Sequence, residues 1–267
     1  MMTVLAIFSL FVIATVFSPL GLGGGILFVP ILHYMLGWEI LEAVLGSLTM
    51  IFMVATGSSL AHSKAGHADN EVANAARIIA IPMAIIGTLL ASKMTDLVGD
   101  IGIKVIASMV IAMVFVKTIS IYRQQTEIEV EETNFKEKKS IYQFGAGIAG
   151  TLSGILGIGG GAILVTLNRA ILNMDAKKAA GTSFLIGATI VPVSLTSHII
   201  VGGKASGLLD QIGIVPVIII PILIFLCAYF GAKYSIKYVS KELVTLVFLC
   251  AISLSLIRYV IDFTSYI

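Results

Sequence analysis

Charge is scarce in this sequence. Asp, Glu, Lys and Arg together make up 12% of its 267 residues, whereas apolar residues make up 58% and the mean hydropathy is +1.03. A soluble globular domain carries about twice that charged fraction (roughly 25%), so water is not the main solvent of this chain. Cysteine is nearly absent. Cys227 and Cys250 both fall in apolar stretches, with the spacing of neither a metal site nor a disulfide framework, and they read as packing residues. No carboxylate pair, metal-ligand cluster or Ser/His/Asp set stands out, so the sequence calls for no metal and no cofactor and does not read as an enzyme. The net charge of +2 is small. Its basic residues stand between apolar segments, where orientation in a membrane explains them better than nucleic-acid binding. The N-terminus lacks the positive region and cleavage site of a signal peptide, and is expected to remain in the mature protein.

What is present is recurrent hydrophobicity, the mark of repeated bilayer crossings. Between Met1 and Glu39 there is no charged residue, a run too long for one upright helix of about 20 residues. The break belongs at Pro19-Leu20-Gly21-Leu22-Gly23-Gly24-Gly25, because proline removes a backbone donor and clustered glycines favour non-helical backbone. Further apolar segments follow at 45–62, 78–93, 101–121, 181–199, 212–232 and 243–262, with a second broken segment over 141–172.

The chain resembles itself at a shift of 136 residues. Gly21, Gly23, Gly24 and Gly25 fall on Gly157, Gly159, Gly160 and Gly161; Ser47 falls on Ser183, Ser58 on Ser194, and His62 on His198. A shift of 139 aligns Pro82 with Pro221. The expected fold is therefore an all-α integral membrane protein of two repeats, residues 1–122 and 141–267. Each repeat is a broken or re-entrant helical segment followed by three transmembrane helices, and the charged stretch 123–140 joins the two as a solvated linker.

Basic residues decide how the repeats face the membrane. If each broken segment returns to its starting side, 13 Lys and Arg lie on one side and 4 on the other; if each crosses once, the split is 9 to 8. The excess marks the cytoplasm. The returning geometry thus predicts a multi-pass cell-membrane protein with both termini outside, the linker inside and the repeats inverted, a recurring plan among transporters. An arm of about 11 residues rises about 16 Å as helix, roughly half of a 30 Å hydrocarbon core, so a re-entrant hairpin would put each glycine turn near the midplane.

Paired Gly-rich motifs, GLGGG at 21–25 and GIGGG at 157–161, are each followed by a small polar cluster, Ala43 to Ser47 and Ala179 to Ser183. In these features the chain resembles the sulfite exporter TauE/SafE family over nearly its whole length. The resemblance implies transport of sulfite, thiosulfate or organosulfonates. The first copy departs from it, with Leu45-Gly46-Ser47 where the second has Gly181-Thr182-Ser183.

A midplane anion needs donors, and no basic residue stands mid-helix to supply them. Backbone N–H groups of helices restarting at Gly24-Gly25 and Gly160-Gly161 would serve, being unpaired and at the positive end of the dipole. The alternative role for these glycines is close helix packing. The candidate substrate-binding set is Gly21, Gly23, Gly24, Gly25, Ser47, Gly157, Gly159, Gly160, Gly161, Thr182 and Ser183. Leucine at Gly25 or Gly161 is expected to abolish binding while the protein stays folded. Loss of the Ser47 or Ser183 hydroxyl is expected to weaken affinity by roughly 1 kcal/mol. His62 and His198 end their helices and are candidates for the two mouths of a pathway, with an interfacial setting as the ordinary reading and a coupling proton as the functional one. Arg169 and Arg258 read as solvated residues near helix ends. The partners expected are a small anion, a coupling proton or other ion, and the lipid bilayer; oligomeric state is left open. A passive anion channel is the main alternative to a carrier. An intramembrane enzyme and a non-transporting assembly factor are weaker ones, because neither gives a reason for duplicated helix breaks.

Overall fold

The computed structural model describes residues 2–124, 134–202, 212–238 and 241–264, and these form ten α-helices without a strand among them. In chain order they are α1 (Met2–Phe17), α2 (Gly25–Pro30), α3 (Ile40–Lys64), α4 (Asn70–Val98), α5 (Asp100–Gln124), α6 (Phe135–Leu156), α7 (Gly161–Ala170), α8 (Ala176–Gly202), α9 (Ile214–Tyr238) and α10 (Lys241–Thr264). A π-helical turn, Ile31–Met35, extends α2. The chain is an all-α membrane protein, and the two broken segments fall where the sequence placed them. Within the described residues, α3, α4, α5, α8 and α9 are long and apolar enough to cross a bilayer.

Local signals set the boundaries. The Asp69 carboxylate accepts the N–H of Val72 to start α4, Glu39 and Glu42 form a reciprocal capping box at the start of α3, and Asn134 accepts the N–H of Lys136 to start α6. Asn134 corrects one boundary: residues 135–140, read as the end of a solvated linker, are the first turns of α6. Residues 125–133 of that linker, and Lys204 from the charge count, lie outside the described residues. The arms of the broken segments are unequal. At 22 residues α6 rises about 33 Å, a full crossing in length, whereas α7 has only 10 residues.

The repeats interlock rather than sit side by side. Packing is most extensive where α4 lies on α6, and its counterpart under exchange of the repeats is α9 on α1. In the same way α3 meets α9 as α8 meets α4, while α3–α8 and α5–α10 pair across the middle. Small residues permit the α4–α6 approach: a Cβ on Gly154 would lie 2.6 Å from the Thr88 nitrogen, and one on Gly150 would lie 2.9 Å from the Ala80 Cα. Between helices in lipid such close backbone contact replaces the hydrophobic drive that water supplies elsewhere. Of these helices α3 is the most enclosed, with 72% of its apolar span buried against 22% for α9. Large apolar side chains such as Phe8, Ile78, Met109, Phe144 and Ile218 point outward, as lipid-facing residues do.

Candidate functional site: two glycine turns at the centre

Both turns are buried over their whole length, 21–25 and 157–161. Their backbone requires glycine. Gly21, Gly23 and Gly24 have φ of 78°, 72° and 77°, and Gly157, Gly159 and Gly160 repeat this at 65°, 72° and 66°. Gly24 and Gly160 are the N-caps of α2 and α7, and neither helix start is capped by a side chain. The turns touch each other reciprocally. A Cβ on Gly25 would lie 2.7 Å from the Ile158 Cα and carbonyl oxygen, and one on Gly161 would lie 2.8 Å from the Gly21 oxygen and 3.1 Å from the Leu22 carbonyl. Gly21 and Gly157 press in turn on Ala180 of α8 and Val44 of α3, which are equivalent positions.

The serines bind the turns together instead of facing an opening. Ser47 Oγ donates to the Gly157 carbonyl at 2.7 Å, and Ser183 Oγ lies 3.0 Å from the carbonyls of both Gly21 and Gly161. Each hydroxyl reaches from one repeat to the turn of the other. A hydroxyl has one proton, and in this conformation those of Ser47 and Ser183 are committed to backbone carbonyls. Thr182 points elsewhere: its Oγ1 accepts the N–H of Asp69 at 3.0 Å, tying α8 to the start of α4.

Ile51 is what sequence reasoning missed. A Cβ on Gly23 would come within 3.4 Å of the Ile51 Cγ2, and one on Gly159 within 2.6 Å of the same atom, so this side chain of α3 is wedged against both turns. The residue equivalent to Ile51 at the 136 shift is Gly187 of α8, which has no side chain. A Cβ there would meet Ala55 Cβ at 3.7 Å and the Gly159 oxygen at 4.0 Å, ordinary contacts with room to spare. One large and one absent side chain at equivalent positions was the legible signal, yet in sequence Ile51 is merely another apolar helix residue.

The profile of the sulfite exporter TauE/SafE family matches residues 6–259, nearly the entire chain, both glycine turns included. The chain belongs to this family. No curated relative and no solved structure matches it. Membership of the TauE/SafE family makes it a membrane transporter for sulfur-containing anions, with a small anion and the bilayer as its partners.

In this TauE/SafE transporter the histidines flank the turns. His62 Nε2 lies 3.4 Å from the carbonyl of Ser18, and His198 Nε2 lies 2.6 Å from that of Gly154, the equivalent residue in the second repeat. Both side chains are buried within the protein, and each ring braces the chain just before a glycine break. The symmetry fails one turn earlier. Ser194 pairs with Ser153 at 3.3 Å, but Ser58 Oγ has no hydrogen-bond partner among the described residues. The physical reason is that Phe17 occupies the position equivalent to Ser153, so no hydroxyl is there to answer Ser58.

A second polar group was also missed. Lys104, counted as a surface charge, is buried, and its Nζ forms an ion pair with Asp262 Oδ2 at 2.7 Å. Sequence shows the two residues on separate helices 158 positions apart, with nothing to indicate that α5 and α10 meet.

Proposed function

We propose that this protein is a secondary transporter carrying sulfite, thiosulfate or an organosulfonate across the cell membrane by alternating access about the paired glycine turns. The observation that carries this reading is that two uncapped helix N-termini, at Gly24-Gly25 and Gly160-Gly161, begin at turns in mutual contact. Unpaired N–H groups at the positive ends of two helix dipoles form an oxyanion cradle without a buried cation. The substrate-facing groups in this reading are the N–H groups of residues 23–25 and 159–161, with Ile51 and Gly187 walling the same space. Ser47 and Ser183 act as clamps that hold the turns shut and let go when the repeats rock apart.

The proposal includes inverted repeats. Contacts that exchange when the repeats exchange fit a two-fold axis, and the 13 to 4 split of basic residues fits such an axis lying in the membrane plane. Both termini then face outward and the 123–140 linker faces the cytoplasm. With Cys227 and Cys250 replaced, a cysteine at Glu131 should be silent to an impermeant maleimide added to intact cells and should react after lysis. Labelling from outside would reverse the orientation.

Carrier function is tested in proteoliposomes. Vesicles preloaded with unlabelled thiosulfate should take up radiolabelled thiosulfate transiently above equilibrium, because a carrier couples the two fluxes. Uptake that only relaxes downhill, with no overshoot, would identify a passive anion channel instead.

A further inference from the structure

The ion pair of Lys104 and Asp262 belongs to a larger group. Tyr34, presented by the π-helical turn that follows Pro30, donates its hydroxyl to the same Asp262 oxygen at 3.1 Å. The guanidinium of Arg258 sits 4.4 Å from the centre of the Tyr34 ring, and Tyr259 meets that ring edge-on at 5.7 Å. Among the described residues the group brings together two cations, the buried Lys104 and the exposed Arg258, and the Asp262 carboxylate. Beside it an apolar cavity of about 10 Å³, room for about one water, is lined by Ile26, Val29, Ile103, Ala107 and Tyr259 among others and touches Ile158 of the second glycine turn. The group is not a product of the repeat: Lys104 aligns with Leu243 at the 139 shift, and Tyr34 with Ala170 at the 136 shift.

We propose that Lys104, Tyr34 and Arg258 form an entry site for small oxyanions, in which the Asp262 carboxylate is a tethered stand-in for the transported anion. The inference rests on the transport reading and adds a binding step before the glycine turns. An ammonium buried this deeply is costly unless an anion compensates it, so Lys104 needs a partner at every stage. An incoming sulfite or sulfonate takes over the Lys104 ammonium and the Tyr34 hydroxyl, two donors that already converge on one carboxylate oxygen. Asp262 is displaced toward Arg258, one turn earlier on the same face of α10 and spaced as helical ion pairs are. The exchange never leaves a bare charge in apolar surroundings. The substrate passes on to the glycine turns when the repeats rock apart, and the return of Asp262 closes the site behind it.

The test is isothermal titration of the full chain in nanodiscs with ethanesulfonate and with sulfite. Asp262→Asn removes the competing carboxylate and should bind both probes about tenfold more tightly, and Arg258→Gln should bind them several-fold more weakly. The Lys104→Gln, Asp262→Asn double variant carries no buried charge, so it serves even if the single variant fails to fold; it should lose about tenfold or more relative to wild type. Wild-type affinity in that double variant, or in a monodisperse Asp262→Asn protein, overturns the entry site and leaves the glycine-turn reading standing. A wild type that binds neither probe overturns both.

Discussion

Leucine in place of Gly161 should give a protein that cannot hold its repeats together. Even a Cβ at this position would lie 2.8 Å from the Gly21 oxygen and 3.1 Å from the Leu22 carbonyl, and both are backbone atoms that no rotamer change can move aside. Overpacking of a filled interior costs typically 1–3 kcal/mol, and a rigid backbone neighbour puts this case at about 3 kcal/mol or more. The same holds for Gly25 against Ile158. This revises the expectation that these substitutions abolish binding in a folded protein: the glycines are needed for turn-to-turn packing before any question of substrate arises. Size-exclusion profile and melting temperature of detergent-purified Gly161→Leu check the point. A monodisperse peak with wild-type melting would show that the turns do not bear on each other as described.

Gly187 offers the separation of folding from transport that the turn glycines do not. A methyl group there meets only Ala55 Cβ at 3.7 Å and the Gly159 oxygen at 4.0 Å, so Gly187→Ala should fold without displacement. Stability should stay level or rise by about 0.5–1 kcal/mol, because a mid-helix glycine gives way to the best helix former. Transport should fall nonetheless. The methyl narrows the space between α8 and the second turn, and an added barrier of about 1.4 kcal/mol is a tenfold loss of rate. Gly187→Leu should extend that loss to near-complete block. Wild-type thiosulfate uptake rates in both variants, measured at equal reconstitution, would place the substrate path away from the central turns.

The self-alignment anticipated more of the interior than segment-by-segment reading did. Because Ser47 and Ser183, His62 and His198, and the two GxGGG runs recur at one shift, their contacts had to recur as well, and they do: Ser47 to Gly157 mirrors Ser183 to Gly21, and His62 to Ser18 mirrors His198 to Gly154. The direction of those hydroxyls was not legible. A serine pattern is the same whether the proton goes to a ligand or to a carbonyl of the opposite repeat, and only the crossing of α3 over the second turn decides between them. The length of α6 was misjudged for a related reason: Lys136, Lys138 and Lys139 lower its hydropathy, while the Asn134 cap starts the helix regardless.

The sequence by itself determined the solvent, the duplication and the breaks. These follow from composition, from periodicity along one chain and from the φ angles that glycine alone adopts freely, all of which are local or self-referential quantities. What only the tertiary structure decided is which residues meet: that α4 packs on α6 of the other repeat, that Ile51 is wedged against both turns, and that Lys104 finds Asp262. In an apolar chain almost every helix face is greasy enough to be buried, so hydropathy does not select the partner. Selection falls to small steric facts, a glycine opposite a carbonyl or one side chain wedged between two turns, and these come into being only when helices distant in sequence are packed together.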